Sequence, residues 1–233
     1  MKKLLNSRLG LMILFALATQ VVFAQVRETR TVANFEELSI SSAFVVELSV
    51  GNTESLEIEA EERYMDDIES EVRNGRLSIR IRDSRDTRRM KDSPRLYITV
   101  KSLNYISLSG AVKFTNFDPL EGDRLKIDMS GASVAQIEVE VEDLEIEASG
   151  ASEIKMKGSA KNQSMRSSGA TSYAAYDLES EYADIRLSGA GSARVTVSSE
   201  LDVRASGASD VRYRGNPSVK SSTSGASSVR KGR

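Results

Sequence analysis

The chain has 233 residues, 39% of them hydrophobic and 28% charged, with 32 basic and 34 acidic side chains and a formal net charge of −2. It contains no Cys, no His and no Trp. This charge balance speaks against nucleic acid as a general partner, which calls for basic patches. The lack of His removes the commonest general acid/base, the usual zinc ligand and the base of a serine triad.

Residues 1–24 read as a signal peptide. Lys2, Lys3 and Arg8 precede the apolar run "LMILFALA", and small residues at Val22 and Ala24 place a cleavage site before Gln25. The run from Leu9 to Ala18 is short for a membrane span, which needs ~20 residues, and the residue after the cut is Gln25 rather than a lipid-accepting Cys. No later run approaches a span. Without the leader, 29 basic residues face 34 acidic ones, a net charge of −5. Export to the periplasm or the cell surface is expected. Without Cys, an exported domain must hold together by packing and backbone pairing.

Residues 25–108 form a strand-rich head. "FEELSISSAFVVELSVG", "ESLEIEA", "GRLSIRIRD" and "RLYITV" alternate apolar and polar residues, the period of a half-buried strand. Between them, Tyr64, Ile68 and Val72 recur at helical spacing, with Asn74-Gly75 as a stop or turn, which predicts a short helix within 61–75. Residues 83–94, "DSRDTRRMKDSP", read as an exposed charged loop.

From residue 109 to residue 233 the chain repeats itself. Ser-Gly-Ala begins at Ser109, Ser130, Ser149, Ser168, Ser188, Ser206 and Ser224, a period of 18 to 21 residues. A fixed period of this length marks a repeat architecture. The residues between stations decide which one: Ile137, Val139 and Val141 alternate with Glu138, Glu140 and Glu142, and Leu144 and Ile146 alternate with Glu145 and Glu147. That is strand spacing. The expected fold is an all-β, parallel β-helix-like solenoid with about 19 residues per coil. Equivalent corners should stack, which places Gly110, Gly131, Gly150, Gly169, Gly189, Gly207 and Gly225 in one column where a bulkier residue would force coils apart. Ser41-Ser42-Ala43 reads as a degenerate station in the head.

On "FEELSISSAFVVELSVGNTESLEIEAEE", "IESEVRNGRLSIRI" and the recurring "LSGA", "MSGAS" and "ASGAS", the chain resembles the autotransporter adhesin head GIN domain family of exported Bacteroidetes proteins, from about Val32 to Val229. The resemblance implies a right-handed β-helix-like fold in an exported protein and carries no catalytic residues over. No membrane β-barrel segment follows the stations within these residues, so autotransport in the strict sense is not expected.

No catalytic residue, cofactor or metal site is expected. The acidic run Glu138 to Glu147 could supply a carboxylate pair or a Ca²⁺ site, but period-2 placement already assigns it to a solvated face. A station Ser would need a Lys as its base, and Lys113, Lys126, Lys155 and Lys157 read as outward-facing. Asp202, Arg204, Asp210, Arg212 and Arg214 read as cross-coil ion pairs. The tail "VRKGR" reads as a small basic end. Tyr173, Tyr176 and Tyr182 are candidate ligand contacts, since exposed Tyr can stack on sugars or form protein contacts. The expectation is an exported, non-catalytic, adhesin-like envelope protein. It binds a glycan or protein ligand, or self-associates as a homo-oligomer, with no nucleic-acid partner and no membrane span after the leader. The alternative is a carbohydrate-active enzyme that cleaves acidic polysaccharide on a β-helix scaffold. Filament formation would need open solenoid ends.

Overall fold

Strand after strand, every second side chain is apolar and buried while its neighbours face water, so each segment must lay one face on a shared core. The computed structural model describes residues 25–82, 90 and 92–232. The signal-peptide reading of residues 1–24 and most of the charged excursion at 83–94 lie outside them.

The head comprises β1 (Gln25–Arg30), β2 (Glu37–Ser42), β3 (Val45–Val50), β4 (Ser55–Glu61), a one-turn helix α1 (Glu62–Met65), β5 (Ile68–Arg73), β6 (Arg76–Ile81) and β7 (Arg95–Val100). The repeats supply β8 (Tyr105–Gly110), β9 (Lys113–Asn116), β10 (Leu120–Gly131), β11 (Val134–Gly150), β12 (Glu153–Gly169), β13 (Ser172–Gly189) and β14 (Ser192–Gly207). The last coil is β15 (Asp210–Arg214), β16 (Ser218–Thr223) and β17 (Ser228–Lys231).

Successive coils pair in parallel, one repeat apart. Ile106 opposes Ile127, Ile127 opposes Ile146, and Ile146 opposes Met165. The column continues through Ile185 to Val203. This is the β-solenoid anticipated from the stations, with about 19 residues per coil. Each of these side chains, from Ile106 to Val203, is buried and is worth roughly 1.5–3 kcal/mol of removal from water. Buried apolar side chains form one cluster from Val32 to Val211.

The chain does not simply wind upward from its start. β2 lies between β6 and β8, and β3 between β7 and β9, all parallel. The first coil is therefore a second layer, and the chain loops down to β6–β7 before climbing again at β8. Antiparallel strands close this end: β4 pairs with both β7 and β1, and β5 pairs with β6.

The expected short helix is present but shorter than the spacing of Tyr64, Ile68 and Val72 suggests. The helix spans only Glu62–Met65, and Ile68 and Val72 belong to strand β5. Asn74 (φ 51°) and Gly75 (φ 76°) both take left-handed backbone, as a two-residue hairpin turn requires. The Asn-Gly pair joins two antiparallel strands instead of ending a helix. Val72 opposes Leu77 across that hairpin, and cross-strand pairing outweighs the short helical spacing.

Candidate functional site

Each station forms a corner, and the corners lie one above another. Ser130, Gly131 and Ala132 follow Ser109, Gly110 and Ala111 one coil later, with Gly131 in register with Gly110. The glycines of the column have positive φ, for example 89° at Gly150, and a Cβ on Gly150 would lie 2.5 Å from the Gly131 carbonyl oxygen. That close approach lets the Ala151 N–H donate to the same oxygen at 2.9 Å, and Ala132 does likewise to Gly110 at 2.8 Å. The Ala side chains themselves are exposed. The residue after each Ala turns inward. Ser133, Ser152, Thr171 and Ser209 are buried, and Ser209 Oγ donates to Ser206 O at 3.1 Å and to Gly189 O at 3.4 Å. The corner motif is thus four residues long, one more than the three read from the sequence.

The strand entering each corner presents three outward positions: the station Ser and the residues two and four before it. A trough runs beside the corner along the solenoid, walled over its middle coils where the residue two before the small station Ser is long, as at Glu147, Arg166, Arg186 and Arg204. It encloses about 740 Å³ and crosses seven coils from Ser107 to Ser224. At ~4.8 Å per coil it is about 29 Å long. Its wall changes sign along the way. Asp128 and Glu147 line the part nearer the head, and Arg166, Arg186 and Arg204 follow. These three arginines are in register on adjacent strands. Like charges opposite one another across strands are destabilising.

Carboxylates on the same face offset that repulsion. Arg186 grips Asp184 with two bonds, at 3.1 and 2.7 Å. Arg166 reaches Glu145 at 3.1 Å and Glu147 at 3.8 Å. Arg204 is held least, 3.6 Å from Asp202. Glu145 also accepts from Arg124 at 2.7 Å, which, with Lys126 nearby, holds its carboxyl below the usual range against the opposing effect of burial. Burial lowers the Lys126 ammonium, but Asp128, Glu147 and Glu145 outweigh it and push the pKa up.

The acidic run Glu138 to Glu147 is spread along β11 as a solvated face. Glu138 pairs with Lys157 at 2.5 Å, and Glu140 and Glu142 are exposed. Among the described residues no group of acids could hold a metal ion. The cluster expected as cross-coil pairs is mostly paired within single strands. Arg212 meets Asp210 at 2.9 Å within β15, and Arg230, also on Asp210 at 3.0 Å, crosses coils. Bonds from Ser228, Arg230 and Arg212 lower the Asp210 pKa against burial. Arg214 lies over the Tyr176 ring at 4.0 Å.

The three candidate tyrosines do not meet. Tyr173 is fully buried, its hydroxyl 2.5 Å from Gln163 Nε2, so it is a core residue and not a surface contact. Its outward reading fails because an inward column of one residue per coil (Phe114, Ala135, Ile154, Tyr173) runs through it. Tyr176 is half-buried under Arg214. Tyr182, 44% exposed, borders a second groove of about 520 Å³ that is rich in acids, including Asp143, Asp184 and Glu200. The arginine ladder was not singled out from the sequence, although its signal was there: "RSSG", "RLSG" and "RASG" place Arg two residues before three consecutive stations.

The family model described as "Putative auto-transporter adhesin, head GIN domain" matches residues 34–217. The chain belongs to this family. A search of curated proteins finds no match. Solved structures share the fold of this head GIN domain. A "putative adhesin" from Bacteroides fragilis is 20% identical with a TM-score of 0.83, covering 89% of this chain and 97% of its own. A "putative adhesin" from Parabacteroides merdae is 17% identical at TM-score 0.71, covering 90% and 96%. A "putative lipid binding protein" from Parabacteroides distasonis is 18% identical at TM-score 0.68, covering 90% and 97%. Membership in the family supports an adhesin-like role for this head GIN domain. Among the described residues no helix is long and apolar enough to cross a membrane.

Proposed function

We propose that this is an exported, non-catalytic envelope protein that captures a glycan or protein ligand along the long side of its solenoid. The carrying observation is the trough beside the station corners, about 740 Å³, open to solvent and lined by charged and hydroxyl side chains. A ligand there would meet a rigid surface, because every strand beneath it is paired on both edges up to the last coil. Binding costs less when the surface is ordered in advance.

The competing reading, an enzyme cleaving acidic polysaccharide, draws on the same trough, where acids and arginines from several coils converge. Two features favour binding over cleavage. Arg166 and Arg186 are engaged by carboxylates within the fold, and Lys126 is held protonated among three acids, which makes it a poor general base. A glycan and protein array with the chain from Gln25 onward tests the proposal. Specific capture supports it. Depolymerisation of an acidic polysaccharide by the purified protein overturns it in favour of the enzyme. Light scattering across a concentration series tests self-association, and a dimer or larger species is the supporting outcome.

A further inference from the structure

We infer that the basic stretch of the trough takes a short run of a carboxylate-bearing, linear polysaccharide lying along the solenoid axis, about one sugar ring per coil. This deepens the ligand-binding proposal and rests on it.

The argument begins with the column Arg166–Arg186–Arg204. Three guanidinium groups repeat at one per coil, in register, on the wall of an open trough. Stacking like charges at this spacing weakens the sheet. The column itself shows how a sign change is accommodated, since nearer the head the same position is Asp128 and Glu147. The flanking acids consume only part of each guanidinium. Asp184 takes the Nε and one terminal nitrogen of Arg186, and Asp202 takes a single long contact from Arg204. Arginine carries five donors, so donors remain free to serve a carboxylate in the trough. Across from them the station serines Ser168, Ser188 and Ser206 form a parallel column in register. Hydroxyls at this spacing suit the hydroxyl-rich edge of a sugar chain.

The spacing selects between polymers. Coils recur every ~4.8 Å, and an extended peptide advances ~3.3 Å per residue with alternate side chains on the same side, so its acids recur every ~7 Å and fall out of step with the arginines. A pyranose ring spans about the length of one coil, so a uronate-type chain advances at the pace of the arginines, and although its carboxylates turn about the chain axis from ring to ring, those facing the trough each lie level with a guanidinium. Among the described residues no aromatic side chain lines the trough, so binding would depend on charge and hydrogen bonding and not on stacking. The acids Asp128 and Glu147 bound the site on the head side. They would repel a uronate carried past Arg166, so affinity should stop rising with length once about three rings cover the three arginines, a span of ~10 Å between the outer two.

The test is calorimetric titration of the chain from Gln25 onward with galacturonate oligomers of two to six rings. Neutral galactan oligomers and poly-glutamate serve as controls. Binding of the uronate trimer, weakened by salt as exposed charge pairs are and not matched by the neutral oligomer, supports the inference. The triple variant R166A/R186A/R204A should lose it. Each single Arg→Ala should cost about tenfold, the scale of one charge-assisted hydrogen bond. If the triple alanine variant fails to fold by circular dichroism, R166K/R186K/R204K keeps the charge, removes the planar fork, and should bind severalfold weaker. E147Q with D128N should extend the gain in affinity to longer oligomers. Uronate binding unaffected by either triple variant overturns the site. Equal binding of poly-glutamate, with the same arginine dependence, overturns the ligand class. If uronates fail while the array yields a neutral glycan or a protein, this inference falls and the ligand-binding proposal stands. If nothing binds at all, both fall.

Discussion

Ser42 and Gly150 stand in the same column of the solenoid, one in the head and one in the stacked coils, and both have positive φ, 97° and 89°. A side chain is tolerated at the first and would collide with backbone at the second. What lies beneath explains this. The ladder between β2 and β6 ends at Ile40 opposite Ile79, and the Ser42 hydroxyl accepts the Ile81 N–H at 3.4 Å. Under Gly150 the ladder continues and a carbonyl fills the space. The glycine column is therefore a requirement of stacking and not of the turn alone. The core does not follow the same division. The head and its junction hold Phe35, Phe44 and Phe114, and the coils above include Ala135, Ala193 and Ala205 but also the fully buried Tyr173. Large and small side chains alternate within one inward column, as Ala135, Ile154 and Tyr173 do.

Several substitutions would break or sharpen this comparison. Gly150→Val should be the most damaging, because it adds a backbone clash to left-handed strain. A loss of about 3–6 kcal/mol in chemical denaturation, or failure to fold, is expected. A mild effect would mean the coils can slide apart. Phe114→Ala removes a fully buried ring where the head meets the stack and should cost about 3–5 kcal/mol. In the head, Gly75→Val opposes the left-handed turn without meeting any atom and should cost about 1–2 kcal/mol, well short of Gly150→Val.

Acid should destabilise both regions modestly. Bonds from Arg82 and then Arg80 hold the Glu69 carboxyl low in the head, and Arg124 does the same first for Glu145 in the stack. A folded-state pKa below the unfolded value stabilises above the ordinary carboxylate pKa of about 4, and that stability is lost as pH falls through the folded value. Melting temperatures measured from neutral pH down should fall over that interval, and Glu145→Gln should flatten the decline. The smallest effect is expected for Ser42→Gly. It relieves left-handed strain at the loss of one long hydrogen bond, so a gain of up to about 1 kcal/mol is expected in the same denaturation assay. A large loss there would show that the head needs its serine.

The station corners are legible in the sequence because backbone contact between coils tolerates only hydrogen at that point, and a strict steric demand leaves a strict residue pattern. The sequence spacing overextends the short helix because Tyr64, Ile68 and Val72 fit two periods over so few residues, and Asn-Gly serves a helix end and a hairpin alike. The outward reading of Tyr173 fails for a related reason. In "TSYAAYDLES" both parities carry apolar residues, so sequence alone does not reveal which face is inside. The arginine ladder was visible as "RSSG", "RLSG" and "RASG", but only the register turns three separate triplets into one charged wall.

The amino-acid sequence by itself determined that the chain coils, how long each coil is, and where glycine must sit, because period-2 burial and a repeated steric constraint act within a single repeat. Only the tertiary structure decided that the first coil becomes the second layer, that Tyr173 faces inward, and that charges distant in the chain line one trough. Those outcomes depend on which strand edges find each other, a property of pairing between repeats that no local stretch encodes.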